Sequence, residues 1–169
     1  MTPSESMGGR STALSFAVLC LLLGSCKTHA GESDAAMKEN DVTPWYEAFD
    51  RNDPALLDAI LSKDWQDIPA APGQPAGPAG AKHILTELAT AFPGLRIAVK
   101  DTIREGDKVV ARSDITATQR GPFLGRPATN RTMTIQAIDI HEFRDGRIVR
   151  TWHTEDWMTG LRQLGVFDK

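Results

Sequence analysis

Apolar residues recur every three to four positions in four segments of the chain, which is the spacing of a helix with one buried face. A Thr or Asp followed by proline stands before each of the first two segments, and a glycine follows the last one; these residue types start and end helices. A loop rich in proline and glycine interrupts the series at 69–80. The pattern predicts four helices, opening at Pro44 and Pro54 and covering 81–92 and 156–164.

Between the third and the fourth helix the apolar period changes to two, and Val, Ile and Thr become frequent, as in strands with one buried face. The segments 105–107 and 144–146 contain the Gly and Asp residues that favour hairpin turns. Four antiparallel strands are predicted, over 95–104, 108–120, 131–143 and 147–154. This order indicates an α+β fold, in which helices cover one face of a curved antiparallel sheet and enclose a pocket.

The first thirty residues have the pattern of an export signal. Arg10 precedes an apolar run over 11–23, which is shorter than the roughly 20 residues that a membrane-spanning helix needs. The run ends in Leu-Gly-Ser-Cys26, which resembles the bacterial lipobox, whose cysteine becomes the lipidated N-terminus. An ordinary signal peptide cut near Ala30 is the alternative, and Met1 and Met7 are both candidate starts.

This pattern divides the chain into a lipoprotein signal peptide over 1–25, a flexible tether over 26–41 and a folded domain over 42–169. We expect a membrane partner through a lipid anchor at Cys26. By the same resemblance, Lys27 instead of aspartate behind the cysteine favours the outer membrane, with the domain on the periplasmic face of the cell envelope.

Composition narrows the function further. The chain has 169 residues, of which 41% are hydrophobic and 24% charged, so it is long enough for one domain with its own core. Its 19 basic and 22 acidic residues give a net charge of −3, which argues against a nucleic-acid partner. Two cysteines, Cys20 and Cys26, exclude a multi-disulfide scaffold. Because dinucleotide, P-loop and zincin motifs are missing, we expect no cofactor and no metal.

Several short motifs, taken in order over 44–167, resemble the SnoaL-like polyketide cyclase (ester cyclase) family. They are Phe92-Pro93-Gly94-Leu95, the 121–127 loop, Ile138-Asp139-Ile140, Asp145-Gly146-Arg147-Ile148 and Leu161-Arg162-Gln163-Leu164-Gly165. The resemblance implies a nuclear-transport-factor-like cone, with helices wrapped over a bent sheet around a deep pocket. It also implies a cofactor-free aldol condensation by acid–base residues in that pocket.

The resemblance marks two positions for this chemistry. The acid–base aspartate of the cyclases, on the last strand, falls on His153, and the histidine that assists it falls on Asp139. The pair is therefore exchanged rather than lost. A histidine that relatives often carry after the second helix falls on Ile68, beside Asp67.

The turn at 144–146 decides whether Asp139 and His153 share a face of the sheet. A two-residue loop places them on opposite faces, whereas a three-residue loop with Gly146 in the left-handed conformation makes them diagonal neighbours, about 7–8 Å apart. Glycine at the third loop position favours the three-residue loop. A carboxylate that orients a histidine suits proton transfer near neutral pH. The alternative is a structural pair, or an Asp139 that binds backbone groups only.

The face predicted for this pair carries an apolar wall that suits a substrate. Its members are Met133, Ile135, Ala137, Val149 and Thr151, and further candidates for substrate binding are Trp65, Asp67, Asp156 and Trp157. Capping of the last helix is the simpler role for Asp156, and core packing is the simpler role for the tryptophans. His141 is expected to be exposed.

Two functions compete at this point. The first is an enzyme that acts on a small apolar carbonyl or ester compound by aldol-type cyclisation, isomerisation or hydrolysis, with His153 as general base or acid and Asp139 orienting it. The second is a lipid-anchored binding module that holds a small molecule or a protein without chemistry. A homodimer formed through the sheet is a further expectation.

Overall fold

The computed structural model describes residues 40–168. The predicted signal peptide, the anchor at Cys26 and the tether up to residue 39 lie outside them. The last two tether residues contact the domain: the Asn40 carbonyl accepts a hydrogen bond from Arg104, and the Asp41 carboxylate accepts one from the Thr43 N–H at 2.9 Å. Within the described range, no helix has the length and apolar character needed to cross a membrane.

Helices come first and most strands follow, as predicted. The elements are α1 (Thr43–Arg51), α2 (Pro54–Ile60), β1 (Leu61–Ile68), α3 (Pro78–Ala91), β2 (Arg96–Glu105), β3 (Lys108–Thr118), β4 (Thr132–Arg144), β5 (Arg147–Glu155) and α4 (Trp157–Gln163). Proline occupies the first turn of α1, α2 and α3, where its missing N–H costs nothing. Asp53 caps α2 through the Ala55 N–H at 3.0 Å.

The described strands form one curved sheet in the order β1-β5-β4-β3-β2. The α+β prediction is confirmed, but the sheet is not wholly antiparallel, because β1 runs parallel to β5. Strand β1 is absent from the sequence prediction. Its buried apolar residues Leu61 and Trp65 stand four positions apart, a helical spacing, and its partner strand lies more than eighty residues away.

The hairpin between β4 and β5 corrects the predicted turn. Asp145 and Gly146 have φ values of 52° and 71° and form a two-residue loop, so the three-residue prediction is wrong. A register shift follows in β5, where Val149 is an extra residue. Such a bulge moves every later side chain of the strand to the other face. Asp139 and His153 therefore lie directly opposite each other on one face.

Two clusters of buried side chains hold the helices on the concave face. One joins α1, α2 and α3 to the sheet and includes Trp45, Leu57 and Ile148. The other surrounds Phe92 and holds α4 against β4. Phe49 and Ile97 pack against both clusters, so the seam between the clusters runs beneath α1.

The contribution of the second cluster to the free energy of unfolding can be measured by comparing two phenylalanines. Phe92 is 0% exposed and Phe167 is 55% exposed. We expect Phe92→Ala to lower the free energy of unfolding by about 3–5 kcal/mol, because it leaves a cavity. Phe167→Ala should change it by less than about 0.5 kcal/mol. Urea denaturation checks both values, and equal losses would contradict this packing.

Candidate active site

A small chamber lies at the seam, between α1, α3 and the concave face of the sheet. Its volume is about 90 Å³, below the roughly 150 Å³ of an engineered cavity that admits benzene. Most of its wall is apolar: Trp45, Phe49, Trp65, Ala81, Ile84, Leu88, Ile97, Ile115 and Ala137. The polar residues of the wall are Tyr46, Asp67, Ser113, Asp139, His153 and Glu155.

A wider cleft of about 780 Å³ adjoins the chamber. The two cavities share five lining residues: Asp67, Ile84, Leu88, His153 and Glu155. The cleft adds apolar surface from the proline-rich loop, from Phe123 and Leu124, and from Trp157. Its volume is in the range of small-molecule sites. A ligand with a small end in the chamber and a larger body in the cleft would pass the polar residues at the boundary.

Strand register brings the polar residues together. Ala111, Asp139 and His153 form one row across β3, β4 and β5, and the adjacent row places Ser113 on β3 and Glu155 on β5. Side chains directly opposite each other on one face have Cβ atoms about 4.5–5.5 Å apart. The bulge in β5 is what brings its side chains into these rows.

His153 is held between acceptors on both sides of its ring. Its Nδ1 lies 3.0 Å from Glu155 Oε1, and its Nε2 lies 3.2 Å from Asp67 Oδ1 and 3.1 Å from the Pro69 carbonyl oxygen. Carboxylates and carbonyls can only accept, so both ring nitrogens donate and the ring is an imidazolium. The hydrogen bonds to Asp67 and then Glu155 raise the pKa of His153 to about 10, against the effect of burial.

The proline-rich loop holds the Asp67 carboxylate in place. Gln74 Nε2 donates to Asp67 Oδ2 at 2.8 Å, and Gln74 Oε1 accepts from the Ala71 N–H at 2.8 Å. The carboxylate is thereby oriented from the loop side while its other oxygen faces His153. In residues 40–168, no group of three or more His, Cys, Asp or Glu side chains could hold a metal ion.

Asp139 has a different environment. It is 7% exposed, and its Oδ2 accepts a hydrogen bond from the Tyr46 hydroxyl at 2.8 Å. Burial raises the pKa of Asp139 to about 6; the charges of Glu155 and Asp67 raise it further, while the Tyr46 hydrogen bond and the His153 cation lower it. Asp139 therefore gains or loses its proton near neutral pH, as an acid–base group must.

A buried chain of hydrogen bonds supports Asp139 from behind. Trp65 Nε1 donates to Thr151 Oγ1 at 3.0 Å, Thr151 Oγ1 lies 3.1 Å from His141 Nδ1, and His141 Nε2 lies 3.2 Å from the Tyr46 oxygen. Burial lowers the pKa of His141 to about 3, so its ring is neutral and has one donor and one acceptor. The indole can only donate and the carboxylate can only accept. Each group in the series from Trp65 to Asp139 therefore donates its hydrogen to the next one.

Comparison with known proteins agrees with this architecture. A family profile described as SnoaL-like polyketide cyclase matches residues 40–164. The chain belongs to this family. TsrD from Streptomyces laurentii is 30% identical with a TM-score of 0.67, over 80% of this chain and 96% of that one. No curated protein matches the chain.

Two further solved structures resemble this SnoaL-like chain. IdmH from Streptomyces antibioticus, a candidate polyketide cyclase, is 28% identical with a TM-score of 0.66, over 77% of this chain and 98% of that one. A candidate polyketide cyclase from Bacillus cereus is 27% identical with a TM-score of 0.65, over 74% and 78%. The resemblance inferred from short motifs is confirmed.

Within the SnoaL-like site, the structure revises the expected roles of the central pair. Asp139 and His153 line one chamber, but no hydrogen bond joins them. The prediction that Asp139 orients His153 is wrong, because Asp67 and Glu155 do so. The imidazolium has no free nitrogen with which to accept a proton, so His153 does not fit the expected role of general base. Asp139 fits that role instead.

The other predicted binding residues separate into two groups. Those that line the cavities are Trp65, Asp67, Ala137 and Trp157. Those that line neither cavity are Met133, Ile135, Val149, Thr151 and Asp156.

A physical reason accounts for each displaced residue. Met133 and Ile135 are buried in the second cluster beneath α4. The bulge turns Val149 to the outer face, where it lies among arginines. Thr151 lies behind the chamber in the hydrogen-bond chain, and exposed Asp156 caps α4 through the Thr159 N–H at 3.0 Å.

Sequence reasoning missed four polar residues of the site. His141 is 0% exposed rather than exposed as expected, because it shares the inward face of β4 with Asp139. Tyr46 stands on the apolar face of α1 and is indistinguishable there from a core residue. Glu155 directly precedes the predicted last helix, where a carboxylate is typical of helix capping. Ser113 had a detectable signal, since it is a polar residue at an inward position of β3.

The charge on His153 can be tested by NMR titration of the imidazole. We expect imidazolium signals throughout the neutral range and a midpoint of about 10. This pKa is above the value of about 6.5 expected in the unfolded chain. The stabilisation of the fold by protonated His153 is therefore fully present below about pH 6.5. The contribution is then lost as the pH rises towards the folded value. Asp67→Asn should lower the midpoint.

Asp64→Asn is the matched control, because Asp64 is an exposed carboxylate on the same strand and lies on the outer face. It should leave the midpoint unchanged, and His153→Gln assigns the signal. A wild-type midpoint near the free value of about 6.5 would contradict the imidazolium.

Tyr46→Phe tests whether the hydrogen bond from Tyr46 stabilises the charged form of Asp139. The change removes a hydrogen bond that lowers the pKa of Asp139, so this pKa should rise above about 6. It also leaves the His141 Nε2–H without its acceptor, which should cost about 1–3 kcal/mol of unfolding free energy. Carboxyl NMR titration and urea denaturation measure the two effects. Thr116→Val removes a hydroxyl that bonds Thr134 on the exposed side of β3 at 3.1 Å, so it should leave the pKa of Asp139 unchanged. An unchanged pKa in Tyr46→Phe would refute the assignment.

Proposed function

We propose that this protein is a cofactor-free acid–base enzyme, in which Asp139 removes a proton from the carbon next to a carbonyl group of an uncharged, largely apolar compound. Aldol-type cyclisation and isomerisation both begin with this step. The proposal is carried by one observation: a buried carboxylate, held by Tyr46 at 2.8 Å, lies in an apolar chamber opposite a fixed imidazolium.

Each polar side chain has a separate task in this proposal. Tyr46 occupies Asp139 Oδ2, which leaves Oδ1 to take the proton. Partial desolvation makes this carboxylate a stronger base than one in water. The His153 cation lies in the same row, and its positive charge offsets part of the negative charge that develops on the substrate. Asp139, once protonated, returns the proton to the product.

Charge and shape indicate the class of substrate. Asp67, Glu155 and Asp139 outnumber the His153 cation, so an anionic ligand is disfavoured. The chamber takes a small group, and the adjoining cleft takes a larger apolar body. A neutral ketone or ester with an apolar body fits both.

Proton exchange provides the test of this function. Methyl naphthoylacetate is a neutral keto ester with an acidic carbon, and loss of its proton signal in heavy water is followed by NMR. We expect Asp139→Asn to slow the exchange by about 10² to 10⁴. In the wild type, kcat/KM should fall as the pH drops through about 6, because the base becomes protonated, and again as the pH rises through about 10, because His153 loses its charge.

Asp64→Asn should exchange the probe at the wild-type rate, and circular dichroism should show that both variants fold. Equal rates for Asp139→Asn and the wild type would refute the proposal. Quenching of tryptophan fluorescence by the probe without exchange above the buffer rate would favour the non-catalytic binding module instead.

The lipid anchor at Cys26, the outer-membrane location on the periplasmic face and the homodimer through the sheet stay predictions. Their support is the lipobox-like sequence and, for the dimer, the family resemblance.

A further inference from the structure

One polar atom of the chamber is unaccounted for. Among the side chains of residues 40–168, the Ser113 hydroxyl is the only buried nitrogen or oxygen without a hydrogen-bond partner. Ser113 is 1% exposed and lines the chamber. A buried hydroxyl without a partner destabilises the fold, because it has lost its hydrogen bonds to water and gained none in return. An apolar residue at this inward position of β3 would avoid this destabilisation. We therefore expect the partner of the hydroxyl to be a ligand that enters the chamber.

The neighbours of Ser113 are already engaged or are apolar. Ala137 lies directly opposite on β4, and its methyl group has no polar atom. Tyr46 donates to Asp139, and the ring nitrogens of His153 donate to their carboxylates. Ser113 is therefore the hydrogen-bond donor of the chamber wall that is left for a ligand.

The position of Ser113 suits a carbonyl oxygen. Ser113 is the diagonal neighbour of Asp139 across β3 and β4, at a backbone separation of about 7–8 Å. That separation accommodates a carbonyl group and its adjacent carbon between the hydroxyl and the carboxylate. The excess of carboxylates around the chamber favours an uncharged oxygen over an anionic one.

We propose that Ser113 is a ligand-binding residue whose hydroxyl donates a hydrogen bond to the carbonyl oxygen of a neutral ketone or ester, with the small acyl end of that ligand seated in the chamber. The inference deepens the proposed function and rests on it, because the carbonyl that Ser113 binds is the one next to the carbon that loses its proton. Ser113 thereby determines specificity by binding the carbonyl oxygen, while Asp139 acts on the adjacent carbon.

The chamber volume limits which end of the ligand enters. At about 90 Å³ the chamber suits an acetyl or methyl ester group, whereas an aromatic ring calls for about 150 Å³. The apolar body then lies in the cleft of about 780 Å³, against Phe123 and Trp157.

The probe for the test is acetonaphthone, isotopically labelled at its carbonyl. Infrared difference spectra should show its carbonyl stretch at lower wavenumber when bound to the wild type than when bound to Ser113→Ala. The loss of one hydrogen bond should weaken probe binding by about 2- to 10-fold. Isopropenylnaphthalene has the same shape without the oxygen, and it should bind the wild type and the variant equally.

Stability separates this role from a structural one. Ser113→Ala removes an unpaired buried hydroxyl, so the ligand-free variant should be at least as resistant to urea as the wild type. Thr116→Val is the matched control: it also removes a hydroxyl from β3, but one that bonds Thr134 on the exposed side at 3.1 Å. It should leave the carbonyl band and the affinity unchanged.

The outcomes distinguish this inference from the proposed function. The same carbonyl wavenumber in the wild type and in Ser113→Ala would overturn the inference, as would a ketone that does not bind the wild type, or naphthoate binding more tightly than the ketone. A band shifted by Ser113 in a protein that exchanges no protons would refute the proposed function alone. Exchange that depends on Asp139 without a shifted band would refute the role of Ser113 alone.

Discussion

A hydrogen bond of 2.8 Å from the Tyr46 hydroxyl to the Asp139 carboxylate joins α1 to the inner face of the sheet, and the site depends on it. A carboxylate this deeply buried would be costly to ionise without a donor. The donor is itself held by His141, Thr151 and Trp65, so the first helix, the central strand and the parallel edge strand are linked through one chain of bonds. The fold thereby tolerates a charge that changes near neutral pH.

The two groups that the family resemblance marked for acid–base work are tuned in opposite directions by their surroundings. His153 has two carboxylates on its ring nitrogens and keeps its proton, whereas Asp139 is desolvated in an apolar chamber and exchanges its proton. Separation of paired titratable groups in this way assigns one as electrostatic stabiliser and the other as acid–base group. In the proposed function a carboxylate keeps the acid–base role, but it lies on β4 rather than on the last strand, where the resemblance places the aspartate of the cyclases.

Local sequence signals were sufficient for the α+β class, for the four consecutive strands and for the last helix, because alternation and turn residues act over a few positions. They failed where the local structure depends on pairing with a strand that is distant in the sequence. Strand β1 exists through its parallel pairing with β5, and the bulge at Val149 becomes visible only when the register is known. That single extra residue places Asp139 and His153 on one face although the turn prediction was wrong. Ser113 and His141 could have been suspected as polar residues at inward positions of alternating strands.

Neutron diffraction of a deuterated crystal at neutral pH tests the central claim most directly, because it shows the hydrogens themselves. The account predicts deuterium on both ring nitrogens of His153, on Nε2 but not Nδ1 of His141, and on the Tyr46 oxygen pointing at Asp139. A His153 ring with a single deuterium, or a Tyr46 hydroxyl directed at His141 instead of Asp139, would contradict the assignment of charges on which the proposed chemistry rests.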